Sequence, residues 1–72
     1  MAYDYSRLLG RIKEIFGTNG AFAQAMGVSE RTMSLKTNNL RGWKQQEMEK
    51  ACVLLRIDVA DIGDYFFKRK VQ

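Results

Sequence analysis

Apolar and polar positions along the chain divide it into helical repeats separated by short polar breaks. Leu8, Leu9, Ile12, Ile15 and Phe16 recur at i, i+1, i+4, i+7 and i+8, which draws one stripe down a helix and leaves Arg7, Arg11, Lys13 and Glu14 on its other side. Asp4 or Ser6 is placed to start this helix, residues 1–4 are expected to fray, and Gly17 ends the element. Gly10, inside it, costs up to about 1 kcal/mol relative to alanine and is expected to mark a close helix crossing. Phe22, Ala23 and Met26 form the stripe of a shorter second helix, capped by Thr18 or Asn19 and closed by Gly27, with Val28 placed to plug the gap to the next element. Ser29 caps a third helix, Glu30 in its first turn complements the helix dipole, Met33 turns inward, and Asn38 and Asn39 end it. One turn beyond Met33 the stripe meets Thr37, whose hydroxyl can return to the Met33 carbonyl; Leu40 resumes the apolar spacing. Residues 44–55 repeat the amphipathic design with Met48, Ala51, Cys52 and Leu55 inside, and Trp43 stands before them as a core anchor. Asp58 then caps a last short helix packed through Val59, Ile62, Tyr65 and Phe66. The pattern predicts an all-α fold of five helices. No proline, low-complexity linker or internal repeat divides the chain, so residues 1–72 read as one domain.

Residues 19–39, NGAFAQAMGVSERTMSLKTNN, carry more than a packing pattern. Ala23 stands four positions before Gly27, Val28 follows, and an apolar Met33 comes six positions after the glycine. A small residue lets the second helix cross closely, the glycine makes the turn, and Val28 and Met33 fill the space between the helices. This spacing resembles the helix-turn-helix of phage repressors and Cro proteins, and the helix layout extends the resemblance from Tyr5 to Phe66. It implies a lambda-repressor-like domain whose recognition helix covers about residues 29–38. With Met33 inside, Ser29, Glu30, Arg31, Ser34, Leu35 and Asn38 fall on or near the outer face, where a recognition helix meets the major groove. Arg31 suits a guanine edge, Glu30 a cytosine amine and Leu35 a thymine methyl, or these positions are simply a solvated helix surface. An outward leucine wants a partner, whether DNA or protein. The N-terminus of the preceding helix at Asn19 suits a phosphate, and in the resembling repressors that position anchors the protein to the DNA backbone. Lys36 and Arg41 flank the loop after the recognition helix with charge suited to phosphates, and Lys44 is a further backbone contact in the family layout.

Twelve basic against eight acidic residues give a formal charge of +4, which favours polyanionic partners without selecting one. A chain of 72 residues buries only about 60 to 65% of the surface its unfolded form exposes, so a large catalytic cleft is not expected. The absence of histidine removes the commonest general base and metal ligand, and a lone cysteine cannot build a zinc site. Cys52 reads as a packed residue in a reducing, cytoplasmic setting. No cofactor, metal or catalytic activity is expected, and no apolar run reaches the roughly 18 residues of a membrane span. At the C-terminus Tyr65, Phe66 and Phe67 cannot all face one small core, so at least one is expected to be exposed or paired with another chain. In Cro-like proteins such a tail adds a strand or arm to a dimer. Lys68, Arg69 and Lys70 either reach phosphates or keep an apolar end soluble.

The resemblance implies a transcriptional regulator binding double-stranded operator DNA in a lysis-lysogeny type switch, as a homodimer on half-sites about 34 Å apart. The alternative it also implies is an antirepressor or modulator that binds a partner phage repressor, with Glu30, Leu35 and the aromatic tail serving that contact.

Overall fold

In the computed structural model, which describes residues 2–70, the helices follow the apolar periodicity. Among the described residues they are α1 (Ser6–Phe16), α2 (Asn19–Met26), α3 (Glu30–Thr37), α4 (Gln45–Leu55) and α5 (Ile62–Phe66), with a 3-10 turn over Val59–Asp61 leading into α5. No helix among them is long and apolar enough to cross a membrane. Leu8 and Ile12 of α1, Phe22 of α2, Met33 of α3, Leu55 of α4 and Phe66 of α5 are fully buried, so each α-helix contributes an anchor to one core. Burying such a side chain stabilises by about 1.5–3 kcal/mol against leaving it in water. Leu9, Ile15 and Phe16 lie on the flanks of the α1 stripe and are half-buried against the same core.

Turn chemistry decides where the helices stop. Gly17 adopts a left-handed φ of 83° and donates to the Lys13 carbonyl. Thr18, rather than Asn19, caps α2 by accepting from the Ala21 N–H at 3.1 Å, and Asn19 is the first helical residue. Gly27 closes α2 with φ 77°, and the Val28 N–H donates to the Ala23 carbonyl at 3.0 Å. Ser29 accepts from the Thr32 N–H at 3.0 Å to open α3. Cations serve the C-terminal ends: Arg11 Nε donates to the Leu55 carbonyl of α4 at 2.8 Å, and Lys50 Nζ to the Met26 carbonyl of α2 at 3.3 Å.

Several expectations are corrected. A Cβ on Gly10 would meet nothing within 4 Å, so this glycine lies on an open helix face and marks no crossing. Residues 2–4 are not frayed. Asp4 N–H donates to the Lys68 carbonyl, Lys70 N–H to the Ala2 carbonyl, and Tyr3 pairs with Arg69 in an isolated antiparallel bridge. Met1, Val71 and Gln72 lie outside the described residues. Leu40 does not rejoin the stripe: α3 ends at Thr37, Asn39 turns to φ 63°, and Leu40 is left 74% exposed. Val59 is likewise 69% exposed, because the 3-10 turn points it away from the core that Ile62 and Tyr65 pack against.

Candidate functional site

The segment following Gly27 is a helix with Met33 fully buried beneath it and Glu30, Arg31, Ser34 and Asn38 exposed. Leu35 is half-buried on the same element. Thr37 is buried and its hydroxyl donates toward the carbonyls of Met33 at 3.2 Å and Ser34 at 3.3 Å, which satisfies it without an apolar partner. Much of the polar outer face is already engaged. Ser29 Oγ accepts from the Thr32 backbone and donates to Thr32 Oγ1 at 2.9 Å, while Asn38 Nδ2 donates to the Ser34 carbonyl at 2.8 Å. Glu30, Arg31 and Leu35 are left as the side chains with most to offer a partner.

Glu30 has a second neighbour. Its carboxylate lies so close to Gly20, in the first turn of α2, that a Cβ on that glycine would stand 3.4 Å from it. The carboxylate therefore sits beside the positive end of the α2 dipole and the exposed Asn19, the position the sequence assigns to a DNA phosphate.

Lys36 is corrected outright. It is 3% exposed, with Nζ donating to Glu47 Oε1 at 2.7 Å and to the Gly42 carbonyl at 3.1 Å, and lying 5.6 Å from the centre of the Trp43 ring. Its charge joins α3 to the start of α4 instead of facing outward. Burial pushes the Glu47 carboxyl up, but hydrogen bonds from Lys36 and the Lys44 N–H, with the charges of both lysines, outweigh it and hold the pKa below its ordinary value. Arg41 and Lys44 are exposed as expected, Lys44 at the cap of α4.

The aromatic tail divides as its crowding requires. Phe66 is buried and stacks edge-on against Trp43 at 5.0 Å, so it belongs to the core and not to a partner contact. Tyr65 is half-buried beneath the Arg7 guanidinium, 5.2 Å from its ring centre. Phe67 is 48% exposed and meets the Tyr3 ring edge-on at 6.0 Å. Residues 68–70 pair with the chain's own N-terminal arm rather than extending as a free arm.

Sequence reasoning placed Asn39 at the end of the third helix and missed its partner. Its Oδ1 accepts from the Tyr3 N–H at 2.7 Å and its Nδ2 donates to the Tyr3 carbonyl at 2.9 Å, so one amide side chain clamps both backbone groups of the arm. Between this arm, residues 39–43 and α5 lies a hollow of about 310 Å³. The paired asparagines were the available signal for a left-handed residue here; a partner 36 positions away was not readable.

A family model described as a protein of unknown function (DUF739) matches residues 1–69. The chain belongs to the DUF739 family. A solved structure, the solution structure of the modulator of repression (MOR) of the temperate bacteriophage TP901-1 from Lactococcus lactis, is similar to this DUF739 member at 53% identity and a TM-score of 0.84. The similarity covers 100% of this chain and 97% of that one. No curated protein matches the chain significantly. In this DUF739 member the surface made by α3 and residues 38–41 thus combines an exposed leucine, a half-buried leucine and one charge of each sign from Glu30 and Arg31, with the cation of Arg41 at its end.

Proposed function

We propose that the chain is a phage modulator of repression, which binds a partner repressor protein through α3 and residues 38–41 and thereby alters the repressor's hold on its operator. The observation that carries this reading is full-length similarity, at 53% identity, to a modulator of repression. The role is one of binding, without catalysis. Local electrostatics favour it over direct operator binding. Lys36 is withdrawn into an ion pair with Glu47, and the Glu30 carboxylate stands beside the helix N-terminus where a phosphate would dock. A like charge at that place repels DNA, whereas leucines at 35 and 40 suit an apolar protein surface. The spacing that resembles repressor-type helix-turn-helix proteins supports descent from a DNA-binding scaffold whose recognition face now meets protein.

Mobility shift of the phage switch region, with the chain alone, the repressor alone and both together across a salt series, tests the reading. The chain alone is expected to give no specific, salt-sensitive shift, and its addition is expected to alter or dissolve the repressor–operator complex. Leu35→Ala and Arg31→Ala should weaken that effect. A specific shift by the chain alone, falling steeply with salt and losing discrimination at one base position in Arg31→Ala, would restore operator binding.

A further inference from the structure

We propose that the hollow beside the N-terminal arm receives a large apolar side chain from an acidic segment of the partner repressor, extending the contact beyond α3. The proposal rests on the modulator reading. The hollow's volume of about 310 Å³ accommodates one bulky side chain, and its walls include Tyr5, Trp43, Met48, Phe66 and Phe67. Phe67, one of these walls, is a large apolar side chain left 48% exposed without a covering element.

Charge defines the occupant. Arg41 lines the hollow, no carboxylate does, and Lys68, Arg69 and Lys70 follow directly on Phe67, with Asp4 of the arm placing a carboxylate near Lys68 and Lys70. The tail that carries these cations is held against Tyr3 by the backbone bonds to residues 2 and 4, which fixes them at this end of the molecule. Such a rim attracts an acidic segment and repels a second copy of this chain, which would bring the same cations. A DNA duplex would satisfy the rim through its phosphates but, with its bases stacked inside, leave the aromatic walls unfilled. The Trp43 indole, itself a wall, also carries a buried Nε1–H without an acceptor among the described residues. A carbonyl or carboxylate of the incoming segment supplies one once the side chain adjusts.

Trp43 is the chain's one tryptophan, so its indole gives a single cross-peak in a ¹⁵N-labelled sample. The full chain is titrated with the repressor of the same phage, at low and high salt, and compared with Arg41→Glu, Phe67→Ala and Val53→Ser, the last altering an exposed residue of α4 outside the hollow. Thermal melts establish that each variant folds. The expected result is a shifted indole peak, repressor affinity weakened at least tenfold in Arg41→Glu and in Phe67→Ala, a flatter salt dependence in Arg41→Glu, and no change in Val53→Ser. Wild-type binding that Phe67→Ala retains, or an indole peak that does not move on binding, overturns the docking site and leaves the modulator reading intact. Loss of duplex DNA binding in place of repressor binding overturns it in favour of a nucleic-acid surface. Failure of the wild type to bind the repressor removes the modulator reading and the docking site together.

Discussion

The ion pair between Lys36 and Glu47 gives the sharpest test of how this small core tolerates charge. Glu47→Gln keeps the shape of the side chain and removes its charge, leaving a 3% exposed ammonium with the Gly42 carbonyl at 3.1 Å and the face of Trp43 for company. Breaking a buried pair from one side costs about 3–5 kcal/mol. The Glu47 side chain is 21% exposed, so water relieves part of that, and a loss of about 2–3 kcal/mol is expected. Chains of this size have total stabilities of about 4–10 kcal/mol, so the variant should lose a large fraction and melt roughly 8–20 °C lower. Lys36→Met retains the apolar stem against Trp43 and leaves a carboxylate that still accepts the Lys44 N–H at 2.8 Å, so it should cost less, about 1–2 kcal/mol. The double variant should recover about 1–3 kcal/mol relative to the sum of the singles. Acid adds a second reading of the same pair. Because the folded carboxyl titrates below its ordinary value of 4.5, its contribution is complete above that pH and is lost as pH falls through the lower folded value. Urea denaturation followed by Trp43 fluorescence, from pH 7 to pH 3, measures all of this. A Glu47→Gln loss under about 0.5 kcal/mol, additive with Lys36→Met and with unchanged acid sensitivity, would show the pair to be screened and the argument wrong.

Other perturbations have equally definite outcomes. Gly10→Ala, on an open helix face, should stabilise by about 0.5–1 kcal/mol in urea melts; a destabilised variant would mean that α1 is crossed there after all. Asn39→Ala removes both bonds to Tyr3 and should cost about 1–2 kcal/mol while speeding hydrogen exchange at the Tyr3 and Asp4 amides, and unchanged exchange would show the arm to be held without the clamp. Glu30→Gln should steepen the salt dependence of binding to random duplex by about one, as a phosphate replaces the carboxylate near Gly20; an unchanged slope would deny Glu30 its screening role. Burial, reinforced by the charge of Glu49, pushes the Cys52 thiol pKa up, so it should react with a disulfide reagent only as fast as the chain opens, and rapid labelling of the native protein would contradict that.

What could be read in advance was local. Gly27, Val28, Ser29, Met33 and Thr37 all act within a turn or two of themselves, and their placement follows from helix geometry, capping and backbone bonding alone. What escaped depends on residues distant in the chain. Lys36 reads as a surface cation until Glu47, on another helix, comes within 2.7 Å. Leu40 was assigned by extending a helical period across Asn39, where the backbone had already left the helix. The N-terminal residues read as loose because nothing near them in sequence binds them; their partners are the Asn39 amide and the carbonyl and N–H of Lys68 and Lys70. Arg11 was placed on the solvent side, yet it reaches the carbonyls that end α4.

The antiparallel closure of residues 2–4 on residues 68–70 also has a kinetic consequence. It joins residues at opposite ends of the chain, whereas the helices and their turns form through neighbours, so it is expected to form late in folding. Interactions absent from the folding transition state govern how fast a protein comes apart rather than how fast it assembles. Weakening this clasp should therefore leave the refolding rate nearly unchanged and shorten the lifetime of the native state.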